Sequence, residues 1–239
     1  YLLSESSSLV VASGIANMYA RDPAASVMGC NTLNALSGGR FILGLGVSHA
    51  PLVSDMRGHE YKKPVATMRK YLDDMDQAWE ALGGAPAEKQ VMLAALGPNM
   101  SALASERTLG AFPYNITPEQ AQLSRKAMGD RGAIVCEQKV CRSTNAEEAR
   151  AAARAALGPY LPLPNYYKNW FRLGFDERDL ENGGSDRLMD AMVIWGSSEE
   201  IDEKLNQYFD NGADQVVIQP IRPDGQPGPD WAALEALAK

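Results

Sequence analysis

The sequence has little of the chemistry that several function classes require. Its 239 residues include two histidines and three cysteines, and the cysteines are odd in number. Cys30, Cys136 and Cys141 lack the spacing of metal-binding or redox motifs, so we expect no metal site. Buried, reduced thiols in a cytoplasmic protein are the simplest interpretation.

Long apolar runs and an excess of basic residues are missing as well. No uninterrupted apolar stretch approaches the roughly 18–20 residues that a membrane span requires. Lys and Arg number 23 against 30 Asp and Glu, a net charge of −7, which argues against nucleic acid or an acidic membrane surface as the main partner. We see no signal peptide, although a chain that begins at Tyr1 can lack targeting information upstream.

The residues that are present favour one α/β domain over residues 1–239. Hydrophobic residues make up 45 % of the chain, enough for a sizeable core. Strand-like and helix-like patterns alternate, which predicts a parallel sheet with right-handed crossovers. We predict six strands, at Leu9–Ala12, Phe41–Val47, Val91–Ala95, Ala111–Asn115, Ala133–Val140 and Asp214–Gln219. Residues 14–17 are predicted to form the loop after the first of them.

Local signals place the helices between these strands. Asp22 before Pro23 predicts a helix start, and Gly38-Gly39 its end. The spacing of Leu72, Met75, Trp79 and Leu82 predicts an inward-facing helix. Asn145 caps an alanine-rich helix, Thr117 and Ser197 begin capping boxes, and residues 160–195 have helical character without an obvious strand.

The stretch from Gly39 to Pro51 carries the first functional signal. It runs from a turn through an apolar strand into a loop with Ser48 and His49, and loops after strands hold the chemistry in β/α proteins. Gly44-Leu45-Gly46 invites comparison with a dinucleotide fingerprint. That pattern needs a third glycine where His49 stands, so a Rossmann site is excluded.

Several motifs follow one another along the chain: Ser13–Asn17, Arg21–Pro23, Ser37–Phe41, Gly44–Gly46, Gly58-His59 with Tyr61, Lys63 and Pro64, Leu93–Pro98 and Gly212–Gln219. Together they resemble those of the bacterial luciferase-like superfamily, and most closely the deazaflavin-dependent (coenzyme F-420) oxidoreductases of actinobacteria. The resemblance implies a (β/α)8 TIM barrel and a homodimer. It also implies that residues 9–15 are the third strand, that the first two β/α units are absent here, and that residues 160–195 form a helical insertion after strand 7.

The resemblance further implies a flavin or deazaflavin bound across the strand ends. Its ring would contact Ser13, Gly14, Ile15, Ala16, Asn17, Gly46, Val47 and Ser48. A non-prolyl cis peptide, at Ser13-Gly14 or Gly14-Ile15, would form a bulge beside it. The phosphate would lie at Leu96, Gly97, Pro98 and Asn99, where a helix begins and its amides attract anions, and Tyr114 would reach the phosphate or the ring edge.

His49 stands where related sugar-phosphate dehydrogenases have a glutamate. It could act as the acid–base group for a substrate oxygen, contact the cofactor or be structural. For His59, a structural role or a position at the rim of the site is favoured. The expected activity is hydride transfer between coenzyme F-420 and an unidentified small organic molecule. An FMN-dependent monooxygenase and a cofactor-less binding or subunit protein of the same fold are the alternatives.

Two features of the later sequence leave alternatives open. Tyr160, Tyr166, Tyr167, Trp170 and Phe171 form an aromatic group that could be core or a lid over a substrate. Glu137 and Gln138 lie next to each other on a predicted strand and therefore face opposite sides. Either of them could point inward, and Glu137 would need a partner there, because an unpaired buried carboxylate is costly.

Overall fold

The chain divides into two compact units. The computed structural model describes residues 1–82 and 89–238. The first unit comprises Tyr1–Phe112 and Ala127–Gly132, and the second comprises Pro113–Lys126 and Ala133–Lys239. The expectation of one domain over residues 1–239 stays a prediction.

Parallel strands and helices alternate in the first unit. Its strands are β1 (Val11–Ala12), β2 (Ala16–Asn17), β3 (Phe41–Gly46), β4 (Val91–Leu93) and β5 (Gly110–Ala111), and its helices are α1 (Pro23–Ser37), α2 (Pro64–Ala81) and α3 (Pro98–Arg107). Both β1 and β2 pair with β3, β3 pairs with β4, and β4 pairs with β5, all in parallel. The predicted parallel α/β architecture is confirmed.

Local chemistry sets the ends of α1. Asp22 accepts a hydrogen bond from the Ala25 N–H at 2.7 Å, and Gly38 closes the helix in the left-handed region with φ 66°. On α2, Leu72, Met75 and Trp79 are buried as their spacing predicts. Leu82 is exposed because it follows the last helical residue, so that part of the prediction is wrong.

The chain bulges between β1 and β2. Ala12 pairs with Ile42 and Ala16 pairs with Leu45, so four residues advance on one side against three on the other. One surplus residue is the definition of a β-bulge. The predicted loop at residues 14–17 is therefore partly wrong, since Ala16–Asn17 is a strand. The predicted buried strand at residues 9–12 is also partly wrong, because Leu9 and Val10 precede the first strand pair and are exposed.

The second unit is built around one long strand. Here β6 (Ala133–Cys141) pairs in parallel with both β7 (Val193–Trp195) and β8 (Gln215–Pro220). Its helices are α4 (Pro118–Met128), which begins in this unit, α5 (Ala146–Leu157), α6 (Pro164–Arg172), α7 (Asp186–Met192), α8 (Ser198–Asp210) and α9 (Trp231–Leu237). The predicted caps Asn145 and Ser197 are confirmed.

Three expectations for residues 111–195 are wrong. Residues 160–195 were expected to contain no strand, but Val193–Trp195 is a strand that follows α7 directly, without a turn residue between them. The strand at Ala111 ends there, because the following chain turns and Asn115 adopts φ 54°. Thr117 caps no helix, since its hydroxyl has no hydrogen-bond partner among the described residues.

The cysteines follow the prediction, since Cys30, Cys136 and Cys141 are buried and free. None of the helices within residues 1–82 and 89–238 combines the length and the apolar character of a membrane-spanning helix. The barrel closure, the absent units and the insertion after strand 7 stay predictions.

Candidate functional site

Three neighbouring strands of the first unit end side by side. Asn17 at the end of β2 pairs with Gly46 at the end of β3, and Leu45 pairs with Leu93 at the end of β4. Carboxyl ends of parallel strands share one edge of a sheet, where α/β proteins bind ligands. The predicted segments at residues 13–17, 46–48 and 96–99 therefore follow or flank adjacent strand ends.

The bulge packs directly against two glycines of β3. A Cβ atom on Gly46 would lie 2.6 Å from Cδ1 of Ile15 and 3.3 Å from Cβ of Ala94, and one on Gly44 would overlap the carbonyl oxygen of Ser13. The Ser13 hydroxyl donates to the Gly44 carbonyl at 3.0 Å. The peptide bond between Gly14 and Ile15 is cis, which confirms the bulge and the cis peptide that the resemblance implies.

Phe112 is a site residue that sequence reasoning missed. Its ring lies opposite Gly14, where an added Cβ would be 3.4 Å from Cε1, although β2 and β5 are separated by two strands. The Phe112 N–H donates to the Leu93 carbonyl at 2.7 Å, and its side chain is half-buried. The sheet edge is thus lined on one side by this ring. The sequence offered no signal for a contact across so many residues.

Ser48 and His49 form the turn that leaves β3. Ser48 has φ 57°, and its carbonyl accepts a hydrogen bond from the Tyr61 hydroxyl at 3.3 Å. Burial lowers the pKa of His49 below its ordinary value of 6.5, so the imidazole is neutral at pH 7. A neutral imidazole can hold or accept a proton next to a bound molecule.

His59 lies farther out on the same loop. It is exposed, and its ring centroid is 5.9 Å from that of Tyr19, which follows β2. The structural or rim role expected for His59 stays a prediction.

The start of α3 offers backbone donors to an anion. Gly97 is extended and precedes Pro98, and no side chain caps the helix. The N–H groups of Met100 and Ser101 donate to the Gly97 carbonyl at 3.1 and 3.0 Å. The Asn99 amide belongs to the first turn of the helix, whose N–H groups include donors without a partner inside the helix. Asn99 is exposed and Leu96 is half-buried. These residues fit a phosphate group.

A separate polar cluster is buried in the second unit. The Lys139 ammonium lies 2.6 Å from Oδ1 of Asn115 and 3.2 Å from Oε1 of Glu137. The Lys139 and Glu137 side chains are 1 % and 6 % exposed. Burial raises the pKa of Glu137 and lowers that of Lys139, while each charge opposes the shift of the other. Glu137 therefore has the partner it needs, and Gln138 on the opposite face contacts the Tyr208 hydroxyl.

Tyr114 belongs to this second cluster. Its hydroxyl lies 3.1 Å from Oε1 of Gln219 and 3.1 Å from the Tyr160 hydroxyl, and its ring lies over Lys139 with 3.9 Å from Nζ to the centroid. The predicted contact of Tyr114 with the cofactor stays a prediction. Of the aromatic group, Tyr166 and Trp170 are core residues, whereas Tyr160 and Tyr167 are half-buried.

Comparison with known proteins decides the family. The luciferase-like monooxygenase family matches residues 1–215 of this chain. The chain belongs to the luciferase-like monooxygenase family. The resemblance read from the motifs at residues 13–23, 37–46 and 93–98 is confirmed at this level.

Individual luciferase-like proteins resemble this chain in sequence and in structure. A provisionally assigned coenzyme F-420-dependent oxidoreductase of Mycobacterium tuberculosis is 29 % identical, over 85 % of this chain and 77 % of the relative. The structure of the coenzyme F-420-dependent tetrahydromethanopterin reductase of Methanopyrus kandleri superposes with a TM-score of 0.74 at 17 % identity, covering 98 % of this chain and 83 % of that one.

A luciferase-like structure with a different cofactor is similar as well. The oxygenating constituent of 3,6-diketocamphane monooxygenase from Pseudomonas putida, in complex with FMN, has a TM-score of 0.67 at 15 % identity, covering all of this chain and 81 % of that one. At such identities, the two structural likenesses show a shared fold. Relatives of this luciferase-like chain are thus oxidoreductases and monooxygenases.

Proposed function

We propose that this chain is an oxidoreductase that transfers a hydride between coenzyme F-420 and a small organic substrate. The observation that carries the proposal is the contact of the Ile15 side chain with Gly46, beside Ala94. It gathers the ends of three adjacent strands around the bulge that the resemblance associates with a bound deazaflavin ring. The named activities of the relatives support the same class of reaction.

Different residues of the first unit would bind the ring and the phosphate of the cofactor. Ser13–Asn17 and Gly46–Ser48 would contact the ring, while Leu96–Asn99 would hold a phosphate through the open amides of α3. When bound, the deazaflavin supplies the hydride chemistry, and the protein supplies binding, orientation and proton transfer. His49, neutral at pH 7, would hold or move a proton at the substrate oxygen.

FMN-dependent oxygenation is the second candidate function. The structural likeness to an FMN complex that covers the whole chain favours it. Titration of the purified protein with each cofactor separates the candidates. We expect saturable quenching of F-420 fluorescence and none of FMN fluorescence. The reverse result would favour the monooxygenase, and binding of neither would favour a cofactor-less binding or subunit protein.

A charge at the start of α3 tests the phosphate site. Asn99→Asp adds a carboxylate that favours the helix dipole but repels a phosphate, so F-420 should bind at least tenfold more weakly while the fold persists. Asn206→Asp adds the same charge on the exposed surface of α8 and should leave F-420 binding unchanged. Equal affinities of both variants for F-420 would show that Asn99 is not part of the phosphate site.

The expected homodimer is part of this proposal, and light scattering of the purified protein measures it.

A further inference from the structure

The polar cluster of the second unit has a defined face. Lys139 pairs in register with Gln219, and Glu137 with Val217. Side chains at paired positions of parallel strands point to the same side of the sheet. Glu137, Lys139 and Gln219 therefore share one face, opposite to that of Gln138. Tyr114 and Asn115 contact them there, and Tyr160 contacts Tyr114 and the Lys139 ammonium. We call these six residues the tyrosine–lysine cluster.

The groups that reach solvent in this cluster carry no charge. The Lys139 ammonium is buried and paired with the Glu137 carboxylate, so the two charges compensate each other. Gln219 is exposed, and Tyr114 and Tyr160 are half-buried. A charged ligand would find no opposite charge among these six residues that is not already paired. The cluster favours a neutral molecule.

The directions of the hydrogen bonds show which donors and acceptors of the cluster are available to a ligand. Oε1 of Gln219 can only accept, so the Tyr114 hydroxyl donates to it. The Tyr160 hydroxyl must then donate to the Tyr114 oxygen. The amide nitrogen of Gln219 keeps its donors, and the Tyr160 oxygen keeps its lone pairs. One edge of the cluster thus offers both a donor and an acceptor.

Asn115 supplies a second, independent indication of a ligand. It is 2 % exposed, and its Oδ1 faces the Lys139 ammonium, which fixes the orientation of the amide. Its Nδ2 is buried and has no hydrogen-bond partner among the described residues. Buried donors in proteins are nearly always satisfied, so this nitrogen points to an oxygen acceptor.

We propose that the tyrosine–lysine cluster binds an uncharged organic molecule through a carbonyl or hydroxyl oxygen. Gln219 donates to that oxygen, Tyr114 holds the Gln219 amide in place, and the rings of Tyr160 and Tyr166, whose centroids lie 5.2 Å apart, provide an apolar wall. The inference goes beyond the proposed function because it does not depend on which cofactor binds, or on whether one binds.

Fluorine NMR of the full chain labelled with 3-fluorotyrosine tests this site. Cyclohexanone and cyclohexanol are the neutral probes, and cyclohexanecarboxylate is the charged comparator. We expect the neutral probes to shift the signals of Tyr114 and Tyr160, assigned with their Phe variants, and to bind at least tenfold more tightly than the carboxylate. Equal or tighter binding of the carboxylate would overturn the proposal.

An isosteric variant tests the donor. Gln219→Glu keeps an oxygen for the Tyr114 hydroxyl but removes the amide donors, so cyclohexanone should bind about tenfold more weakly. Gln207→Glu makes the same change on the exposed surface of α8 and should have no effect. A Gln219→Glu variant with unchanged affinity would reject the site, as would a shift of the Tyr114 signal by coenzyme F-420 but not by cyclohexanone.

Discussion

The side chain of Ile15 fills the space above Gly46 that a methyl group would occupy, with 2.6 Å between the ideal Cβ position and Cδ1. The contact joins the bulge to the strand that ends at the candidate site. A methyl group at residue 46 would force the Ile15 side chain to move. Glycine is required there by close approach and not by an unusual backbone angle, since residue 46 is a regular strand residue.

The first prediction concerns this glycine. Gly46→Ala should lower the free energy of unfolding by about 1–3 kcal/mol, the range seen when a methyl group is forced into a packed site. Urea denaturation of the purified protein measures it. Gly29→Ala is the matched control, because Gly29 is an exposed residue of α1 with open space around its Cβ position. It should stabilise by about 0.5–1 kcal/mol. Equal effects of both changes would contradict the close packing.

The second prediction concerns the buried ion pair. Lys139→Met leaves the Glu137 carboxylate buried without its ammonium partner, and loss of about 3–5 kcal/mol of unfolding free energy is expected. Adding Glu137→Gln removes the uncompensated charge and should restore part of that loss. A double-mutant cycle with chemical denaturation gives the coupling energy. Strictly additive effects would show that the two charges do not interact.

The third prediction concerns pH. Because burial lowers the pKa of folded His49 below 6.5, the unfolded chain binds a proton at this residue more readily than the folded chain. Stability therefore falls as pH drops below about 6.5 and levels off below the folded pKa. The thermal midpoint should decline less for His49→Gln than for the unmodified chain between pH 7 and pH 5. Parallel declines would show that His49 takes no part.

The fourth prediction concerns a helix start. Ser197 accepts from the Glu200 N–H, and the Glu200 carboxylate accepts from the Ser197 N–H at 2.7 Å, a reciprocal capping box. Ser197→Ala should cost about 0.5–2 kcal/mol of unfolding free energy. Ser198→Ala, one residue later in the same helix, removes a hydroxyl outside the box. Calorimetry should show a loss for the first variant alone.

Local chemistry explains what the sequence could predict. The start and end of α1 follow from Asp22 and Gly38, which act within a few residues of themselves. The strand at Val193–Trp195 was not predicted, because it follows a helix directly and three residues are too few to show the alternation of polar and apolar residues that marks a strand. The bulge at residues 13–15 was anticipated from the family resemblance and not from propensity.

Some residues of the candidate site could be predicted from the sequence and others could not, for the same reason. His49 and Gly97 could be named because each follows a predicted strand, where chemistry is expected. Phe112 and Lys139 could not be assigned contacts, because their partners lie far away in the chain: Gly14 for the first and Asn115 for the second. Only the folded backbone brings such residues together.

The surplus residue between β1 and β2 also governs how the chain tolerates changes of length. A strand alternates its side chains between two faces, so one additional residue reverses the alternation from Ala12 to Ala16 relative to β3. Deleting a single residue among 13–15 would leave three residues opposite three and remove the bulge, while Asn17 would keep the face that it shares with Gly46. Homologous chains that are one residue shorter here should therefore lack the bulge, and chains that keep the bulge should keep the length of residues 13–15.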